Sequence, residues 1–296
     1  MLSKATSKGG CAVSKRKGTS YTFIFATIVC VVCSLILALS STALQPRQKD
    51  NMKLDIVQNI LISVGHTKEE LTKKSSKETF ALFATEFETK LIDKNNEKQN
   101  RDFMDQELIN LGYPQDQVEA MNEGELLSTF QSRMSLLAAK AKKKKSDYDP
   151  GYKLVYVHKG PDPEHPDAYV IPVQGYGLWD IIKGYLALDP DLSTVKGVTF
   201  YEHKETPGLG ARITEDWFKD NYVGKKILDA QGNLRSVEIA RGKATDTVSG
   251  EALSHYVDGI SGATLTGKGI NDFILRDLQN YEPYFSTIRN QKKGTE

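Results

Sequence analysis

The sequence predicts an α+β protein: a single N-terminal transmembrane helix, a helical stalk, and a C-terminal domain whose twisted antiparallel sheet packs against helices. Three observations carry that prediction. Positions 18–46 contain no charged residue. From Tyr152 onward, short runs rich in Val, Ile and Tyr alternate with clusters of Gly, Pro and Asp, the pattern of strands and turns. Near the C-terminus Ile270, Phe273, Ile274, Leu278 and Tyr281 recur three or four apart, as on the buried face of a helix.

The 296 residues leave room for one core of about 150 residues plus accessory segments. The formal net charge is +1, but Lys4, Lys8, Lys15, Arg16 and Lys17 crowd into a basic tail, residues 1–20, that holds no acid. The remainder is slightly acidic, which does not mark a nucleic-acid binder. Residues 21–44 are dominated by Phe, Ile, Val, Leu, Ala and Cys. At 1.5 Å per residue they extend about 36 Å, enough to cross a bilayer with some tilt. Ser40-Ser41-Thr42-Ala43 is cleavage-like, but the run exceeds the roughly 7–15 residues of a cleaved signal, so a retained anchor is expected. The basic end should remain cytoplasmic, with everything after residue 45 on the far side.

Cys11, Cys30 and Cys33 all lie in the tail or the span. Cys30-Val31-Val32-Cys33 lacks the βαβ setting of a redox motif and reads as small side chains of a membrane helix. The part beyond the span has no thiol for a disulfide or an iron–sulfur cluster.

Residues 45–149 are highly charged and read as a helical stalk or cap. Val57, Ile60, Leu61 and Val64 make a short helical stripe; Phe80, Phe83, Ala84, Phe87 and Leu91 make a stronger one. Positions 108–111 and 126–137 supply further apolar stretches, and 95–100 form a loop. The basic run 140–145, interrupted only by Ala141, closes the stalk as a solvated boundary.

The core domain is expected over 150–285, with a tail at 286–296. Residues 153–157 and 168–173 read as a hairpin with a long tip. His158, Asp162, His165 and Asp167 fall in or beside that tip, but its prolines and irregular spacing indicate a rigid surface loop and no metal site. Gly175-Tyr176-Gly177 then opens a helix over 178–188, ended by Asp189-Pro190. A strand at 195–202, a turn at 205–210, a short helix at 216–222 and a strand at 236–240 follow.

Asp258-Gly259-Ile260-Ser261-Gly262-Ala263-Thr264-Leu265-Thr266 immediately precedes the apolar-periodic helix. It sets Thr264 and Thr266 at a helix entrance, where unpaired N–H groups and the macrodipole favour an anion. Small residues ahead of them allow another molecule to approach the backbone. On these residues alone two readings stand: a helix cap worth about 1 kcal/mol, or a phosphate site, bound or attached through a hydroxyl.

The stretch resembles the flavinylation motif of FMN-binding domains that carry FMN through a phosphoester to threonine. The resemblance makes Thr264, after Ser261-Gly262-Ala263, the acceptor, and Thr266 the second hydroxyl and alternative acceptor. Gly175-Tyr176-Gly177-Leu178-Trp179-Asp180 and Glu205-Thr206-Pro207-Gly208-Leu209-Gly210 extend it to the C subunit of Na+-translocating NADH:quinone oxidoreductases. Gly267 departs from the pattern, which has serine there. What the resemblance implies is a covalently flavinylated, one-electron relay in an inner-membrane complex that oxidises NADH, reduces quinone and exports Na+, its C-terminal domain periplasmic. No residue of the chain is catalytic on substrate, and the partners implied are the other subunits, membrane lipid and a Mg-dependent flavin transferase. Asp258, Gly259, Ser261, Gly262, Ala263 and Thr264 would be that transferase's recognition sequence. Trp179, Thr206, Leu209 and Gly210 would wall the flavin ring, with Glu205 tuning its charge. The alternatives are the G subunit of the related Rnf complex, or a non-redox anchored binding or scaffold module in which the motif is only a cap.

Overall fold

The computed structural model describes residues 19–93, 98, 99, 101–121, 126, 129, 152–160 and 165–293. Residues 1–18 of the basic tail, with Cys11, most of the loop 95–100, most of the apolar stretch 126–137, the basic run 140–145 and positions 161–164 of the hairpin tip lie outside them. Two compact units divide between Asn51 and Met52. Helix α1 (Thr19–Ser63) contains the segment Tyr21–Gln45, which has a mean hydropathy of 2.8 and exposed side chains and is long and apolar enough to cross a membrane.

The second unit is built on a six-stranded sheet of β1 (Phe87–Asp93), β2 (Lys98–Gln99), β3 (Tyr152–His158), β4 (Ala168–Tyr176), β5 (Ile181–Leu188) and β6 (Val195–Glu202). Its order is β2-β1-β3-β4-β5-β6, and every neighbouring pair is antiparallel. Side chains alternate across it as the two-residue period requires. Val155, Val157, Ile171, Val173, Ile182 and Leu186 enter one layer. Tyr156, Val170, Tyr185 and Ala187 enter the other. The first layer is closed by the long helix Thr264–Lys293 through Ile270, Phe273, Ile274, Leu278 and Tyr281. The second is closed by Val57, Ile60 and Leu61 near the end of α1 and by Leu71 of α2 (Lys68–Thr72). A smaller cluster joins Leu91 and Leu154 to Met104 and Leu108 of α4 (Arg101–Asn110) and Val118 of α5 (Gln115–Ala120).

Two expectations require correction. Residues 178–188 are not a helix: they are a short loop followed by β5. Sheet faces buried on both sides turn a strand into a continuous apolar run, which periodicity cannot distinguish from a buried helix. Gly184 decides the matter, because a side chain there would collide with the Thr199 carbonyl of the neighbouring strand. The stripe from Phe80 to Leu91 is likewise two elements. Helix α3 (Ser76–Glu86) starts with a capping box between Ser75 and Glu78 and stops at Glu86. Phe87 and Leu91 belong to β1, which pairs with β3 along its whole length. Of 236–240 only β7 (Glu238–Ile239) is strand. The short helix at 216–222 is α6 (Asp216–Asp220), followed by α7 (Ala244–Thr247). β8 (Tyr256–Val257) pairs parallel with β7, and Thr264–Lys293 is α8.

Helix α8 sits hard against β4. Side chains at Gly175 and Gly269 would run into Phe273 and the Tyr176 carbonyl, so both contacts require glycine. Asp277 Oδ2 accepts the Gln174 N–H at 2.9 Å, and Arg276 Nε donates to Asp277 Oδ1 at 2.9 Å. The Arg276 guanidinium also bonds the Gln174 carbonyl, and Tyr281 donates to the Leu154 carbonyl at 2.9 Å. Burial pushes the Asp277 carboxyl up to about 6, against the opposing pull of Arg276 and the Gln174 N–H. Between about pH 4 and 6 the folded chain therefore holds a proton that the unfolded chain has released. Stability should fall as pH rises through this window, by about 3 kcal/mol in full. Asp277→Asn keeps an acceptor for Gln174 and should remove that slope. Urea midpoints of both chains in detergent at pH 4, 5, 6 and 7 test it; equal pH dependence contradicts it.

Candidate functional site

The site forms where three segments meet at the N-terminal end of α8: the loop between β4 and β5, the turn after β6, and the residues leading into the helix. The first is a tight turn closed by Gly177 N–H donating to the Asp180 carbonyl at 2.9 Å. It carries Leu178 and Trp179 outward, and Trp179 is 67% exposed. In the second, Leu209 and Ala211 both donate to the Thr206 carbonyl at 3.1 Å, and Gly208 takes φ +75°. Leu209 is left 43% exposed. The turn runs into a 3-10 helix, Gly210–Thr214.

In the third, the Asp258 carboxylate accepts the Ala244 N–H at 2.7 Å, and Gly259 donates to the Gly242 carbonyl at 2.7 Å. A side chain at Gly259 would collide with the Ala240 carbonyl. Ser261 and Gly262 are exposed, and Gly262 has φ +75°. A Cβ there would also lie 2.8 Å from Leu209 Cδ2, so backbone conformation and packing both require glycine. Ala263 is buried, and its carbonyl accepts the Gly267 N–H at 2.9 Å, the first bond of the helix. Among the described residues the N–H groups of Thr264, Leu265 and Thr266 find no backbone acceptor in the preceding turn, as at any helix start.

The two hydroxyls of the motif have opposite surroundings. Thr264 is exposed, and among the described residues its hydroxyl has no hydrogen-bond partner. Thr266 is 1% exposed and donates to Glu205 Oε2 at 2.5 Å. Helical phase separates them, because two residues turn the direction by about 200°.

Glu205, 5% exposed, links all three segments. Its Oε1 accepts the N–H groups of Leu178 at 2.9 Å and Trp179 at 3.1 Å, while Oε2 takes the Thr266 hydroxyl. Gly177 and Gly210 make room for it: a Cβ at 177 would lie 2.5 Å from Oε1, and one at 210 would lie 2.7 Å from Oε2. The Trp179 indole N–H donates to Thr206 Oγ1 at 3.1 Å. Trp179, Glu205, Thr206, Leu209, Gly210, Gly262 and Thr266 are therefore one connected group, with Thr264 on the open side of the same helical turn. Asp258 and Gly259 instead fix the approach to the helix. Leu178 and Leu265, the latter 59% exposed, add to the apolar rim and were not singled out from the sequence. Their signal was slight: an apolar residue beside each marked position. Asn271 was also missed; it brackets Ile239 of β7, accepting its N–H at 2.7 Å and donating to its carbonyl at 3.3 Å. Gly267 packs on Ile239, where a Cβ would lie 3.2 Å from its Cγ2, so a serine there would displace Ile239 by a few tenths of an ångström.

The arrangement suits a phosphoryl group esterified to Thr264. An exposed hydroxyl stands at a helix entrance, and one aromatic and three aliphatic side chains, Trp179, Leu178, Leu209 and Leu265, are exposed on the segments that meet there.

Over residues 177–279 the chain matches the FMN-binding domain family. It is 34% identical over 282 residues to the C subunit of the Na(+)-translocating NADH-quinone reductase from Pseudomonas aeruginosa, an alignment spanning 95% of this chain and 99% of that protein. The protein of the same name from Yersinia pestis is 28% identical, over 90% of this chain and 92% of its own. The crystal structure of the same C subunit from Parabacteroides distasonis aligns with TM-score 0.56 at 28% identity, covering 82% of this chain and 96% of that one. Shewanella oneidensis NqrC shares the fold, with TM-score 0.59 at 22% identity over 80% and 98% of the two chains.

Thr266→Val removes a bond to a buried carboxylate and should cost about 1–3 kcal/mol, whereas Thr264→Val should stay within about 0.5 kcal/mol, as for other exposed positions. Urea unfolding of both chains checks the contrast, and equal losses contradict it.

Proposed function

The chain belongs to the family of C subunits of the Na(+)-translocating NADH-quinone reductase, and we propose that it holds its FMN as a phosphoester on Thr264. It is a flavoprotein subunit of an oxidoreductase complex, with the other subunits as partners and one N-terminal apolar helix that fits a single-pass anchor. Bound FMN supplies reversible uptake and release of electrons on the path from NADH toward quinone.

The observation that carries the assignment to Thr264 is the contrast between the two hydroxyls. Thr264 is open at the helix entrance, while Thr266 is enclosed and bonded to Glu205. The N–H groups at the helix start and the helix dipole stabilise the phosphodiester anion. Trp179 and Leu209 offer apolar surface to the ring, and Gly262 leaves room for Leu209 beside the helix entrance. The turn 206–210 would supply backbone polar groups to the ring.

Threonine is a weak nucleophile, and among the described residues no partner is bonded to the Thr264 hydroxyl that could activate it. Attachment therefore falls to a separate, Mg-dependent transferase acting on flavin adenine dinucleotide. The pyrophosphate P–O bond breaks, the Thr264 Oγ1–P bond forms, AMP leaves, and the hydroxyl proton passes to a base of the transferase. Asp258, Gly259, Ser261, Gly262 and Ala263 are its recognition sequence. The basic residues of the tail set the N-terminus on the cytoplasmic side and the flavin-bearing domain on the periplasmic side, with the span in lipid of the inner membrane.

Mass spectrometry of the chain purified after co-expression with the transferase tests the attachment. A gain of one FMN that is lost in Thr264→Ala and kept in Thr266→Ala is expected. A gain kept in Thr264→Ala and lost in Thr266→Ala assigns the other hydroxyl, and no gain at all removes the flavin ester.

A further inference from the structure

We propose that Glu205 is a positioning residue: through the reach of its buried carboxylate, it holds Trp179 in place against the flavin ring. This rests on the flavin ester at Thr264. It differs from a role in tuning the ring's charge, which depends on the charge of the carboxylate and not on its length. The side chain is enclosed, and both of its oxygens are engaged within the protein.

The geometry is that of a brace. Trp179 lies on a loop with most of its surface in solvent, so apolar packing alone does not fix the indole. Its orientation is set at two points. One is its own N–H, bonded to Glu205 Oε1 together with that of Leu178. The other is the indole N–H, bonded to Thr206 Oγ1 on the residue next to Glu205. The second oxygen of the same carboxylate takes the Thr266 hydroxyl, two residues beyond the flavin-bearing position. A single side chain therefore ties the loop carrying the aromatic ring to the first turn of the helix carrying the attachment point. Gly177 and Gly210 leave space for a carboxylate of this length.

Reach and charge make opposite predictions for two conservative variants. Glu205→Gln keeps a carbonyl oxygen at full length for the Leu178 and Trp179 N–H groups and turns an amide toward Thr266, but it has no charge. Glu205→Asp keeps the charge about 1.5 Å short. The sequence has two tryptophans, Trp179 and Trp217, so Trp217→Phe leaves Trp179 as sole reporter.

Full-length chains in this background are made in detergent with and without the flavin transferase, and FMN at Thr264 is quantified by peptide mass spectrometry. Loading should quench Trp179 fluorescence several-fold in the parent chain. Glu205→Gln should keep that quenching within twofold, and Glu205→Asp, loaded to the same extent, should lose at least two-thirds of it. Hydrogen exchange of the Leu178 and Trp179 amides in the flavin-free chains should rise at least tenfold in Glu205→Asp and stay within threefold in Glu205→Gln. Quenching retained in Glu205→Asp, or lost in Glu205→Gln, overturns the proposal. If the parent carries no FMN at Thr264, the attachment reading fails, and amide exchange alone then judges the brace: unchanged exchange in Glu205→Asp overturns it.

Discussion

Helix α8 lies so close to strand β4 that neither element tolerates a side chain where they touch. Gly175 meets Phe273, and Gly269 meets the Tyr176 carbonyl. Asp277 and Arg276 lock the same pair through both polar groups of the Gln174 backbone. Because β4 ends at Tyr176 and α8 starts at Thr264, this approach brings the loop after the strand to the entrance of the helix. The strand end, the loop and the helix entrance are consequently held as one piece, and the site inherits its rigidity from backbone contact.

The turn after β6 completes the piece, and here the connection is polar. A carboxylate in an interior is costly unless its lone pairs are met. Glu205 meets that condition with two backbone N–H groups and one hydroxyl, drawn from segments far apart in sequence. The outer surface of the same assembly carries apolar side chains: Leu178, Trp179, Leu209 and Leu265 are all exposed on the segments that Glu205 joins. Rigid polar bonding beneath and exposed apolar surface above suit a cofactor held by a covalent tether, since the pocket need not supply affinity on its own.

Much of this was legible in local sequence. The helix after the motif follows from the spacing of Ile270, Phe273, Ile274, Leu278 and Tyr281, all buried in one layer. The small residues before Thr264 were expected to admit another molecule; the fold shows internal reasons for them instead, the Ala240 carbonyl at Gly259 and a φ of +75° with Leu209 close by at Gly262. What failed was period in the presence of double burial. Tyr185 and Ala187 are apolar because a second layer covers them, so β5 looked like a helix; Phe87 continued the stripe of α3 by chance of spacing while starting a strand. The network around Glu205 was illegible for a different reason: its bond to Thr266 spans 61 positions, and no local pattern encodes it. The sequence marked Glu205 as part of a motif, but only the fold reveals that it faces inward.

The seating of α8 has a consequence for how the chain tolerates insertions and deletions. Ile270 and the apolar residues after it fix the screw of the helix, and only Gly267, Lys268 and Gly269 separate Thr266 from Ile270. Adding or removing one residue in that interval would rotate everything upstream by about 100° relative to the sheet. Such a change would leave every residue of the motif intact and still aim its hydroxyls the wrong way. The spacer's length, as much as the letters around it, belongs to the signature.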